Sequence, residues 1–312
     1  MTALITTMTL IALSAEPAPE AYLFAHMLKQ DYGRLYYSVS RDGLHWTLLN
    51  GGKRITDDYR GHPDICLGHD GRYYLIGNYS TKPEITIWVS DDLVTWKRHT
   101  QFTPHFDGIP DFTRGERHNG APKIYYDQPL KIYLITWHTP TKKAVKEKPE
   151  QMWSSMKTLY VTSKTLGTFS EPRRLFGFDL ATIDTIVRRA GDKCYAVIKD
   201  ERMPSDDWPT GKTIRVCVAE KLLGPYGPPG PALTTSFCEA PALIQRPGGK
   251  GWYLYCERYP GIRYECLTAP SPGGPWECVP RDRFSVPRHV RHGSMMAISA
   301  AQYEALAAAF PE

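Results

Sequence analysis

The chain has 312 residues, 42% hydrophobic, 23% charged and 12% aromatic, a balance that excludes collagen-like, coiled-coil and disordered chains and leaves length for a sizeable core. Its 26 prolines and 25 glycines, with 19 tyrosines and 8 tryptophans, favour an all-β chain rich in turns. The formal charge of +5 is too small and too scattered for a nucleic-acid surface, and no apolar run of roughly 18 residues offers a transmembrane helix.

In chain order, residues 3–13 come first as an apolar stretch, and Ala12-Leu13-Ser14 supplies a small-x-small cleavage pattern, although no Lys or Arg precedes it. Residues 1–15 are expected to be a signal peptide or a disordered N-terminus. The first alternative makes the protein secreted or periplasmic, the second cytoplasmic. Residues 16–312 read as one domain.

A strand, a polar turn, one aromatic and a short second strand then recur five times. The copies are Leu35–Trp46, Ile85–Trp96, Lys157–Phe169, Ile214–Tyr226 and Ile262–Trp276. Alternation along each strand gives two unlike faces, and the aromatic is placed to fill the gap between neighbouring sheets. Between these copies runs a second unit, a strand, a tight turn and a Tyr-rich strand, clearest at residues 65–77. Two hairpins per repeat of roughly 50 residues predict a five-bladed β-propeller. Ser294–Ile298 is the expected last inner strand, and Tyr22–His26 is expected to complete the final blade by joining the chain ends. Residues 300–309 read as a short C-terminal helix. The Lys-rich segment 139–151 interrupts blade two, as a solvated loop or as a rim of the cleft.

The innermost strands of a propeller gather their leading ends at one mouth. The motifs placed there are Arg60-Gly61-His62-Pro63-Asp64, Arg117-His118-Asn119-Gly120-Ala121-Pro122, Thr182-Ile183-Asp184, Cys238-Glu239-Ala240-Pro241 and Arg291-His292-Gly293. Five different polar sets converging on one funnel point to a site assembled on a symmetric scaffold. In their order and spacing these motifs resemble glycoside hydrolase family 43 and related five-bladed propellers, over almost the whole chain.

The resemblance implies hydrolysis of glycosidic bonds in an oligosaccharide or polysaccharide, exo-acting or debranching and inverting, with no cofactor required. An inverting glycosidase needs a protonated acid on the leaving oxygen and a base that activates water across the sugar. By resemblance Glu239 is the acid, and Asp184 holds it in place and raises its pKa by like-charge repulsion. The family's base falls on His62, with Asp64 two residues on and, in a regular strand, on the same face. Three outcomes stay open: Asp64 is the base, His62 is the base, or the base is lost. Arg60, Arg117, His118, Asn119, Trp137 and His292 are candidate sugar contacts, with His138, Tyr79 and Trp153 beside them. In some relatives the residue matching His292 lies near a structural calcium ion, although one imidazole cannot build an oxygen-rich site. The alternatives are a catalytically silent carbohydrate-binding propeller and a His-dependent lyase-like enzyme. A sialidase-like enzyme is also suggested by Ser40–Trp46, but opposed by the repeat number. Seven cysteines, none in a CxxC pair, read as buried hydrophobes and make a structural zinc site unexpected; Cys266 and Cys278 are a possible cross-hairpin pair.

Overall fold

The computed structural model describes residues 18–78, 83–106, 109, 111–112, 120–206, 208–261 and 263–312. The expected leader and the candidates Tyr79, Arg117, His118 and Asn119 lie outside the described residues.

Five antiparallel sheets form the five blades, each built outward from an inner strand. The chain enters with β1 (Ala21–Leu28), β2 (Asp31–Ser40) and β3 (Thr47–Leu48). Blade one follows as β4 (Asp64–Leu67), β5 (Tyr73–Gly77), β6 (Ile85–Ser90) and β7 (Lys97–Phe102). Blade two is β8 (Gly120–Asp127), β9 (Ile132–Thr139), β10 (Lys157–Ser163) and β11 (Arg173–Arg174). Blade three is β12 (Thr182–Ala190), β13 (Lys193–Asp200) and β14 (Thr213–Ala219). Blade four is β15 (Cys238–Gln245), β16 (Trp252–Arg258), β17 (Arg263–Ala269) and β18 (Glu277–Cys278). The last strand, β19 (Val290–Ile298), lies inside β1, so blade five takes its inner strand from one chain end and its outer three from the other. The sequence-based fold is thereby found, including this closure.

Blade three departs from the four-stranded plan. Its outer edge runs through Gly224-Pro225-Tyr226-Gly227-Pro228-Pro229-Gly230-Pro231, and prolines carry no N–H for a ladder. Only Gly227, Gly230 and Leu233 donate to β14, at 2.9 Å each, so the segment follows the edge without becoming a strand.

The recurring aromatics do sit between blades. Trp46 packs on Tyr255, the Trp96 indole donates to the Tyr37 hydroxyl at 2.8 Å, and Phe169 stacks on Phe102 at 4.0 Å. Tyr226 meets Phe176 at 5.6 Å, and Trp276 packs into the cluster between blades three and four. Each therefore reaches back to the preceding blade. The polar turns are tied by side chains: Asp42 Oδ1 accepts the N–H groups of Leu44 and His45, both at 2.8 Å, and Asp92 repeats this with Val94 and Thr95. The sialidase-like turn is thus a structural Asx turn at the rim of a blade.

Segment 139–151 is not a plain loop. It contains α1 (Lys142–Glu147), anchored by the buried Ala144, and short 3₁₀ turns that carry the chain to Trp153. The C-terminal helix α2 (Ala300–Ala309) opens with a reciprocal cap between Ser299 and Gln302 and buries Leu306. No helix among the described residues is long and apolar enough to cross a membrane. All seven cysteines are free, six of them buried. Cys278 lies opposite Leu267 rather than Cys266, so the suggested hairpin pair does not face.

At the hub every blade is fastened to the next by a side chain. The Asp64 carboxylate accepts the Ile124 N–H at 2.7 Å, and the Thr136 hydroxyl donates to the Thr185 carbonyl at 2.9 Å. Asp184 accepts the Ala240 N–H at 3.1 Å, and Glu257 accepts the His292 N–H at 3.0 Å. Ser294 Oγ completes the ring by accepting the Ile65 N–H at 3.1 Å. Four buried backbone N–H groups and one carbonyl are met this way.

Candidate active site

In blades two to five the inner strand carries an extra residue just inside the mouth, and the register slips there. At each slip stands a non-glycine residue in left-handed backbone: Ala121, Asp184, Ala240 and His292, with φ of 41°, 51°, 50° and 24°. Such bulges bend a strand and redirect its side chains. Four of them around one axis turn the motif residues into a common cavity of about 860 Å³. Arg60, His62, His138, Trp153, Asp184, Lys199, Glu201, Glu239, Arg291 and His292 are among its lining residues.

Glu239 is the central acid. Lys199 Nζ lies 3.0 Å from one oxygen; Arg291 Nη2 and His292 Nε2 lie 3.1 and 3.4 Å from the other. Burial in the first place, and then the neighbouring Asp184 charge, raise its pKa, against the pull of Lys199 and Arg291. Burial also pushes on Asp184, but His138, His292, Lys199 and His62 outweigh it and hold that carboxyl well below its usual range. One acid is therefore tuned up and its neighbour down, the arrangement a proton donor beside a fixed anion requires.

Beside His292 is His62. The two rings stack at 4.6 Å, and the Tyr32 hydroxyl hydrogen-bonds His62 Nε2 at 2.9 Å. Burial, then His62, depress the His292 pKa, and its Nε2 lies 3.0 Å from Arg291 Nη2, which can only donate to it.

Two candidates are corrected. Asp64 does not line the cavity: it is fully buried, with one oxygen committed to Ile124. The regular-strand reading fails because β4 begins only at Asp64, leaving His62 on the preceding bend, so the two do not share a strand face. Trp137 is also excluded from the cavity. It is packed with Phe112, Ile124 and Leu159 in the core between blades one and two. Alternation along β9 instead turns its neighbour His138 to the cavity, where Nδ1 accepts the Asp184 N–H at 3.4 Å.

Several site residues carried no motif. Lys199, next to last in β13, bridges Glu239 to Glu201, 3.0 Å from each; Lys212 adds a second ion pair to Glu201. Glu257 is paired with Arg291, and burial, then Glu239 and Asp184, lift its pKa to about 7 despite that guanidinium and the His292 N–H. The available signal was a charge at the mouth end of an otherwise apolar second strand. Tyr32, in a hairpin of blade five, had no such mark.

Calcium does not suit this centre. The ion takes roughly six to eight oxygen ligands. Around His292 the oxygens are those of Glu239 and Glu257, and both already hold Arg291. His62 and Lys123 add further positive or proton-bearing groups.

A family profile described as "Probable glycosyl hydrolase domain", related to glycoside hydrolase family 43, matches residues 63–304. The chain belongs to this family. It is a glycosidase on a five-bladed propeller, acting on carbohydrate. No curated protein matches it significantly.

Among solved structures, a thermostable family-43 glycoside hydrolase superposes with a TM-score of 0.54 at 18% identity, covering 71% of this chain and 72% of that one. An α-L-arabinofuranosidase from Lactobacillus brevis gives 0.55 at 15% identity, with 70% and 72% covered. An exo-β-1,3-galactanase from Phanerochaete chrysosporium gives 0.53 at 17% identity, covering 76% of this chain but 52% of the galactanase. At these identities the likeness concerns the fold. Within that fold, blades three and four of the present glycosidase bring Asp184 and Glu239 to the cavity, and blade one brings His62.

Proposed function

We propose that the protein is an exo-acting or debranching glycosidase in which Glu239 protonates the leaving oxygen. Asp184 favours the protonated form of that acid, and His62, fixed by Tyr32, activates the attacking water from across the cavity. The observation that carries this reading is Glu239 itself: a partly exposed acid in the cavity where the inner strands meet, held by Lys199 and Arg291 and flanked by the buried Asp184, which bonds the next residue's N–H. A neutral imidazole serves as a base near neutral pH. Direct attack by water on the face opposite the leaving group inverts the anomeric centre.

The mouth suits a sugar. Among the described residues, Tyr32, Trp153, Met203 and Phe237 are large hydrophobic side chains left exposed, and all four line this cavity. Such faces stack on the apolar faces of pyranose or furanose rings, while Arg60 and Lys199 supply donors. A cavity of about 860 Å³ has room for a terminal or branch unit. The exo-galactanase and arabinofuranosidase among the structural neighbours are consistent with that mode.

The test is a panel of oligosaccharides with terminal and branched units, read by released sugar and by the anomer first formed. Glu239→Gln and Asp184→Asn are each expected to lower kcat by about a hundred- to ten-thousand-fold, the usual worth of a positioned proton donor, with the fold retained. Unchanged turnover in Glu239→Gln overturns the assignment. Sugar binding without turnover by the wild type selects the silent binding propeller instead, a reading that the withdrawal of Asp64 into the hub favours.

A further inference from the structure

On another face of blade four, three donors converge that the reaction does not use. In the β16–β17 pairing Cys256 lies opposite Glu265; in the β15–β16 pairing Cys238 lies opposite Arg258, two residues beyond Cys256. All four side chains therefore leave the sheet on one face. Cys238 Sγ is 3.7 Å from Glu265 Oε2, and the two sulfurs and a carboxylate oxygen lie within 4.8 Å of one another. Both cysteines are fully buried, and Glu265 is their link to the surface.

We propose that Cys238, Cys256 and Glu265 form a binding site for one soft divalent cation of the zinc class. Metal–sulfur bonds of about 2.3 Å and metal–oxygen bonds of about 2.0 Å set tetrahedral edges of about 3.5–3.8 Å, so the sulfur–oxygen separation is already of the required size. Arg258 Nε donates to Glu265 Oε1 at 2.6 Å, which leaves Oε2 turned to the sulfur and orients the ligand from outside. The fourth position falls to water or to the Thr234 hydroxyl, which hydrogen-bonds Cys238. Charge closes as well: two thiolates, one carboxylate, one guanidinium and a divalent cation sum to zero, which a buried centre needs. Each thiol gives its proton to solvent as the metal–sulfur bond forms, so two protons are released per ion. Thiolates select zinc or cadmium over magnesium or calcium. Sequence spacing hid the cluster, because antiparallel pairing rather than a CxxC turn brings the cysteines together. Cys238 and Cys256 directly precede Glu239 and Glu257, so the ion would clamp the strand ends that carry those two acids.

The test uses the full chain, reduced and stripped of metal, with Cd²⁺ as probe. A thiolate-to-cadmium charge-transfer band is expected to saturate at one equivalent, to be displaced by Zn²⁺ and to resist Ca²⁺ and Mg²⁺. Cys238→Ser and Cys256→Ser should each abolish it, and Cys278→Ser, at the exposed thiol, should leave it intact. Absence of the band, or its loss only in Cys278→Ser, overturns the proposal. Should the buried serines prevent folding, the partly exposed Glu265→Gln decides: Cd²⁺ affinity must fall at least tenfold with the circular dichroism spectrum unchanged, and unchanged affinity overturns the proposal.

Discussion

Two positions apart in the chain, His62 and Asp64 have unrelated surroundings, and mutagenesis separates them. His62 meets the cavity and the Tyr32 hydroxyl; Asp64 is sealed against the backbone of the next blade. His62→Ala is expected to cut kcat by about a hundredfold or more while the unfolding midpoint in urea stays near wild type. Asp64→Ala should do the reverse. It strands the buried Ile124 N–H and lowers stability by about 1–3 kcal/mol, with kcat of the folded enzyme changed little. Equal loss of activity in both variants contradicts this division. The sequence named both residues but could not rank them, because a two-residue period assigns faces only where a strand is regular. Here the strand starts between them. Trp137 failed for a related reason: an aromatic beside a polar motif reads the same whether it points to sugar or to core, and only the phase of β9 decides.

At the scale of single elements, the bulged inner strand is the device that makes a site from a repeat. Its tightest point is Gly293, whose Cα leaves no room for a side chain: a Cβ there falls 2.1 Å from the Ala25 carbonyl oxygen and 2.8 Å from the His26 Cα. These atoms belong to β1, which closes the ring. Gly293→Ala is therefore expected to destabilise the protein by about 3 kcal/mol or more, with a lower thermal midpoint and Arg291 and His292 displaced. A midpoint within a degree or so of wild type refutes the contact. The turns at the blade rims are simpler. Asp42→Ala removes an acceptor shared by two backbone N–H groups and should lower stability by about 1 kcal/mol in urea unfolding. The blades themselves were legible in sequence because strand, turn and aromatic recur together. The bulges were not, since left-handed backbone at alanine, aspartate or histidine leaves no compositional trace.

For the molecule as a whole, acid is the sensitive direction. Burial holds the His26 pKa down to about 3 from an ordinary 6.5, with the Met27 carbonyl opposing weakly. Between those values the unfolded chain binds the extra proton, so stability rises with pH across the window and falls as pH drops through it. Asp42 and Asp70 add a second limb. Burial raises both, but the His45 and backbone contacts at Asp42, and Arg72 and Tyr74 at Asp70, bring each down to about 2 from 3.8. Their contribution is complete above the unfolded value and disappears as pH falls towards 2. Glu257, lifted to about 7 from 4.5, opposes the His26 limb over much of the same window, so the clear decline of the thermal midpoint is expected below about pH 4, and His26→Gln should reduce its rise with pH between about 4 and 6.5 relative to wild type. The same dependence in His26→Gln as in wild type counts against the buried neutral imidazole. The interlocking of β1 with β19 has one more outcome, for biosynthesis. Arg291 and His292 ride on β19, the last strand of the propeller in chain order, so a nascent chain can stack four sheets and still own no finished pocket. Assembly of the cavity wall and clasping of the circle are then one event, reserved for the moment β19 pairs with β1.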